Sequence, residues 1–148
     1  MTVVPKHPIF VSVICFSKGA LLTLPRIKDP YKEFLALPEG VVKKGQTLEN
    51  AAIEVLRNSS AGKITGTKMK LIGVYDDVDS GERRIQNCRS YIISFLAAQW
   101  VGEIPLENVR WISDWRTHQL AFDHNLMCLE ADSVMDMAAR SRSLYAIR

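Results

Sequence analysis

The 148 residues are 47% hydrophobic and 24% charged, a balance that excludes disordered and fibrous classes and suits one globular domain over 1–148. With 19 basic and 16 acidic side chains, the net charge of +3 carries no direct nucleic-acid signal, and the cluster Arg140-Ser141-Arg142 reads as a solvated helix end. No apolar run is long enough to span a bilayer and the N-terminus lacks a secretory pattern, so the expected location is cytoplasmic, with no membrane partner.

Residues 11–16 carry β-branched and apolar side chains at strand density, Ser17-Lys18-Gly19 reads as a turn, and residues 20–24 return as the second strand of a hairpin. Cys15 lies in the first of these strands as a small core residue. Together with Cys88 and Cys128 it makes an odd, widely spaced set without a CxxC pair, which argues against a disulfide framework and against structural zinc. Residues 25–34 hold two prolines and mixed charge and read as a loop. A short apolar run, residues 35–38, leads into a glycine-bounded loop from Gly40 to Gly45.

The clearest helix follows. Thr47 is a candidate N-cap, and Leu48, Ala51, Ala52, Val55 and Leu56 recur at the spacing of one apolar stripe. Gly62 is the expected C-cap. Residues 69–75 read as a strand, 76–84 as an acidic turn, 90–98 as an interior strand and 109–112 as a short one. Residues 125–139 read as a closing amphipathic helix with Leu126, Leu129, Val134 and Met137 on its apolar side and Asp123 as its N-cap. Alternating elements of this kind predict an α/β fold in layers.

The segment from Leu37-Pro38-Glu39-Gly40 through Gly45-Gln46-Thr47-Leu48 to Ala51-Ala52 resembles the start of the Nudix box, a strand, glycine loop and helix that hold a diphosphate and its metal ions. Leu120-Ala121-Phe122-Asp123-His124 is similar to a segment of ADP-ribose-pyrophosphatase-like Nudix proteins and of Nudix-derived transcription regulators. The resemblance covers about residues 8–140. It implies an α/β/α sandwich with a mixed sheet, a nucleotide-like small molecule as ligand, and a homodimer as a possible assembly.

The family's chemistry rests on helix glutamates that face one way and bind Mg²⁺, a hard ion that bridges phosphates and activates water. In this chain Gln46 stands at the loop-end glutamate, Glu54 at the arginine, and Val55, Asn58 and Ser59 at the three helix glutamates, with Ala61 at the following glycine. A one-residue deletion in the helix would bring Glu54 into a metal position, so at most one box carboxylate survives in either register. The reading is therefore a weakly active or non-catalytic domain that binds a nucleoside-diphosphate-like ligand, with no resident cofactor and no metal ligands assigned. The alternative is a divergent hydrolase of compounds such as ADP-ribose, with Mg²⁺ as cofactor and ligands from outside the helix.

Candidate ligand-binding residues are Arg26, Glu39, Lys43, Lys44, Gln46 and Phe122. Lys43 and Lys44 precede a helix N-terminus, whose free N–H groups favour anions, although an exposed turn would carry the same residues. Glu39 is either a ligand contact or a solvated loop residue. Tyr31, Phe34 and Phe122 could stack on a base, although Phe122, beside Leu120, reads equally as a core residue. Asp76, Asp77, Asp79 and Glu82 could supply replacement carboxylates, though a solvated hairpin turn accounts for them better.

Overall fold

The computed structural model describes residues 8–27, 31–77, 89–105, 107–116, 120–124 and 126–140, with the side chains of 122, 123, 128, 129 and 140 left aside. In chain order the elements are β1 (Ile9–Ile14), β2 (Phe16–Ser17), β3 (Ala20–Pro25), β4 (Leu35–Ala36), β5 (Glu39–Val41), α1 (Leu48–Ser59), β6 (Ile64–Asp76), β7 (Tyr91–Gly102), β8 (Arg110–Ile112), α2 (Leu120–His124) and α3 (Cys128–Arg140).

Two sheets form. The larger runs β5-β1-β7-β6, with β1 parallel to β7 and the other pairs antiparallel. The smaller joins β2, β3 and β4, with β8 on the free side of β3. This is the expected mixed-sheet α/β/α arrangement, and side-chain alternation along β1 and β7 explains it. Val11, Val13 and Cys15, with Ile93, Phe95 and Ala97, pack into the core under the α1 stripe. Ile14, Phe16 and Leu96 face the other way, into the core completed by α2 and α3. On that second face, Ser12 and Ser94 are both buried and sit opposite each other in the register, and their hydroxyls share a 2.8 Å hydrogen bond. Pairing them removes the cost of burying two lone hydroxyls.

The first hairpin turns at Lys18 and Gly19, both at positive φ (50° and 80°). That is the twist-matched geometry of a two-residue β-hairpin loop. Three tryptophan N–H groups tie strands to loops: Trp100 donates to the Phe16 carbonyl, Trp115 to Gly19 and Trp111 to Pro105.

In several places the elements depart from the expected boundaries. β6 and β7 are far longer than residues 69–75 and 90–98, because their hairpin ladder continues through exposed polar positions such as Lys68 and its partner Gln99. Register shifts near Gly66 and Gly73 absorb the irregularity. Glu39, Gly40 and Val41 form strand β5 on β1, so Gly40 lies inside a strand instead of opening a loop.

The closing helix starts at Cys128, and Asp123 lies in the separate helix α2, so it does not cap α3. The break has a cause: Leu126 forms a bridge with Leu35, and the Met127 N–H donates to the Leu35 carbonyl at 3.0 Å. Leu126, Val134 and Met137 are buried as expected, and Leu129 lies outside the described side chains. Of the α1 stripe, Ala51, Ala52, Val55 and Leu56 are buried, while Leu48 in the first turn is 37% exposed.

Helix α1 begins as expected, with the Thr47 hydroxyl accepting from the Asn50 N–H at 3.1 Å. Its C-cap is Ser60, two residues before the expected Gly62, because the reversal uses two left-handed residues, Ala61 (φ 54°) and Gly62 (φ 80°). An alanine pays a steric cost in that conformation that glycine does not. Ala61→Gly is therefore expected to raise the unfolding free energy by up to about 1 kcal/mol, read from denaturant midpoints. A neutral or destabilising result would mean that Ala61 is relaxed.

Candidate functional site

The end of β3, the β4–β5 segment and the last turn of α1 enclose a cleft of about 460 Å³. Its wall is apolar, built from Phe10, Leu24, Pro25, Leu37 and Pro38, with Ile27 at the rim. The polar groups that line it are Arg26, Glu39 and Ser59. Clefts of this composition, apolar with a few placed polar groups, are the usual form of small-molecule sites.

Local sequence sets each of these positions. Arg26 follows β3 and is fixed by two backbone bonds, its N–H donating to the Phe34 carbonyl and its carbonyl accepting from Glu33. Glu39 is held by pairing with Ser12 across β5 and β1. Gly40 lets β5 approach α1, because a Cβ there would stand 2.9 Å from Val55 Cγ2. Val55 is 8% exposed, so it packs beneath the strand. Ser59, at the end of α1, then reaches the cleft, while Asn58 is exposed and does not line it.

Arg26 Nη1 lies 3.4 Å from Glu39 Oε1, and both side chains are mostly buried, at 15% and 12% exposure. Glu39 is thus not a solvated loop residue. The pair supplies the cleft with a guanidinium fork and a carboxylate side by side, a donor and an acceptor on one wall.

Lys43 and Gln46 form a second cluster outside the cleft lining. Lys43 Nζ contacts Glu54 Oε1 at 2.5 Å, and Gln46 Nε2 donates to Glu54 Oε2 at 2.9 Å. The Gln46 side chain also accepts from the Lys43 N–H, and the Gln46 N–H donates back to the Lys43 carbonyl. Gly45, at φ 79°, makes that tight turn possible. The loop that carries Lys43 is thereby clasped to α1 through Glu54. Lys44 is exposed and makes no ion pair among the described residues. The structure therefore brings together Arg26 and Glu39, separately groups Lys43 with Gln46, and leaves Lys44 apart. Phe122 belongs to α2, and its side chain lies outside the described residues.

Tyr31 and Phe34 pack edge to face on each other, with centroids 5.6 Å apart, and neither lines the cleft. Asp76 is paired with Arg89 at 3.0 Å. Asp77 is fully buried, and its carboxylate accepts from the Ser90 N–H at 2.9 Å, so it is not part of a solvated turn. Asp79 and Glu82 lie outside the described residues. Burial pushes the Cys15 thiol up to about 12, which makes it an inert core group. Among the described residues no three His, Cys, Asp or Glu side chains gather in a metal-holding group. No helix there is long and apolar enough to cross a membrane.

The Glu54 clasp and the second role of Gln46 could not be read from spacing, since Lys43 and Glu54 meet only when the loop folds back on the helix. The hydrogen bond and charge of Lys43 hold the Glu54 carboxyl below its ordinary value of 4.5. A depressed carboxyl contributes stability above its unfolded value and loses it as pH falls through the lower folded value. The stability difference between wild type and Glu54→Gln should therefore be flat above pH 4.5 and shrink under more acid conditions. A difference that grows on acidification would contradict the clasp.

No family model matches the chain. Over 119 residues it is 27% identical to an ADP-ribose pyrophosphatase of Methanocaldococcus jannaschii, covering 80% of this chain and 69% of that one. Its structure is similar to that of a MutT Nudix hydrolase from Burkholderia pseudomallei, with a TM-score of 0.66 at 17% identity over 87% of this chain and 98% of the other. It is also similar to the E. coli ORF135 protein, with a TM-score of 0.69 at 14% identity over 94% and 96% of the two chains. The Nudix domain of Shewanella oneidensis NrtR, solved in complex with ADP-ribose, aligns with a TM-score of 0.62 at 16% identity over 91% of this chain and 90% of that one. The chain thus has the Nudix fold and is a distant sequence relative of an ADP-ribose pyrophosphatase.

Proposed function

We propose that this is a Nudix-superfamily domain that binds a nucleoside-diphosphate-like ligand, ADP-ribose the first candidate, and that hydrolyses it weakly or not at all. The observation that carries the reading is the donor set on α1. Where the family resemblance expects three glutamates, the helix presents Val55, packed under Gly40, the neutral amide of Asn58 and the hydroxyl of Ser59. Magnesium needs several hard oxygen ligands in near-octahedral order, and these residues do not supply them. Glu54, the carboxylate left on that stretch of helix, is engaged by Lys43 and Gln46. The residues therefore do not fit the metal that the family's reaction uses.

Ligand binding has separate support. The cleft's volume of about 460 Å³ lies in the range of small-molecule sites, and Arg26 gives it a cation with a fork geometry suited to phosphate oxygens. Glu39, beside it, can accept from a ribose hydroxyl or a base amine. The NrtR Nudix domain with ADP-ribose bound is a precedent in the same fold. The competing reading, a divergent pyrophosphohydrolase, is favoured by the name of the relative at 27% identity.

Two measurements separate these readings. ADP-ribose should bind in the presence of chelator, and Arg26→Ala should weaken it at least tenfold, about 1.4 kcal/mol, while the exposed Lys44→Ala changes it little. Hydrolysis of ADP-ribose with Mg²⁺ should stay far below the ordinary enzyme range of about 1 s⁻¹ and above. Turnover within that range would favour the hydrolase, and binding indifferent to Arg26→Ala would remove the cleft from consideration.

A further inference from the structure

A second cleft, of about 310 Å³, lies by the same hairpin and shares only Pro25 with the lining of the first. Its polar lining is Glu33, Asn108, Arg110 and His124, over apolar surface from Leu35 and Val109. Three separate segments deliver these groups. The Glu33 N–H donates to the Arg26 carbonyl across the hairpin. Arg110 is set by pairing of β8 with β3 at Thr23, whose hydroxyl donates to the Arg110 carbonyl at 2.8 Å. His124 ends α2, with its side chain 18% exposed and Nε2 within 2.9 Å of Asp114 Oδ1.

Two lining residues are held in the left-handed region that side chains resist, Glu33 at φ 76° and Asn108 at φ 60°. Such backbone persists when the surroundings fix it, and it gathers at ligand sites. The lining is also of mixed charge, with Arg110 and Glu33 both among the residues that bound one small space, in contrast to the mainly apolar first cleft. The volume stands at the lower end for ligand sites, too small for a dinucleotide.

We infer that this second cleft binds a small zwitterion of amino-acid size. Its carboxylate is taken by Arg110, where a planar fork suits two oxygens. Its ammonium is taken by Glu33, and its aliphatic part lies on Leu35 and Val109. The exposed Asn108 adds a side-chain amide to the lining, and the mostly buried His124, held against Asp114, forms part of the wall.

The test uses the whole chain and the standard amino acids, added singly up to about 10 mM, a range that covers the millimolar affinities expected of so small a ligand. Binding is followed by calorimetry and by the shift of the His124 ring resonances. At least one amino acid should bind and move those resonances, and its N-acetyl and carboxamide derivatives should each bind at least tenfold more weakly. Arg110→Ala and Glu33→Ala should abolish the effect without unfolding the chain, since both side chains are exposed. Arg26→Ala should leave it intact, which separates this cleft from the first. The proposal is overturned if no amino acid binds, if the derivatives bind as well as the parent, or if binding survives both Arg110→Ala and Glu33→Ala.

Discussion

Parallel pairing of β1 with β7 is the constraint from which the other packing follows. Two adjacent strands buried on both faces need cover on both sides, and their alternation assigns Val11, Val13, Ile93 and Phe95 to one core and Ile14 and Leu96 to the other. The first core is closed by the α1 stripe, the second by α2 and α3. Ser12 and Ser94 could not lie buried in this pair unless the register set them opposite each other, where each satisfies the other. The fixed edge of β1 then receives β5, and with it Glu39 and Gly40.

Both clefts depend on that placement. Gly40 brings β5 close to α1, so that Val55 fills the space under the strand and Ser59 reaches the first cleft. The hairpin from β3 to β4 carries Arg26 to one cleft and Glu33 to the other, with the two residues joined by a backbone hydrogen bond. Charge is partitioned in the same way: the Lys43–Glu54 pair is spent on holding the loop to the helix, while Arg26 and Glu39 are drawn into a mostly buried wall. Exposed pairs of the first kind add little stability, but they set where a loop lies. A mostly buried pair at a cleft has a desolvation cost that a ligand with matching groups can offset.

Much of the layered architecture was legible in the chain because hydrophobic period is a local signal. The α1 stripe, the first hairpin and the interior character of β7 all announce themselves within about ten residues. What was not legible depended on contacts distant in sequence. The outer halves of β6 and β7 hold polar residues that a loop would also carry, and only their ladder makes them strands. The break before α3 exists because Leu126 and Met127 dock on Leu35, about ninety positions earlier. For the site, residue types pointed to Arg26 and Glu39 but also to Lys43, Lys44 and Gln46. The fold-back that commits Lys43 and Gln46 to Glu54 separates the two groups.

On the function proposed above, the first cleft takes its ligand without a metal ion between protein and phosphate. Calorimetric titration of Mg²⁺ into the chain, alone and with ADP-ribose present, tests it most directly. No saturable Mg²⁺ binding is expected at micromolar concentrations in either case, and the ADP-ribose affinity should be the same in chelator and in Mg²⁺. Stoichiometric micromolar Mg²⁺ binding, or an ADP-ribose affinity that collapses when the metal is removed, would contradict it.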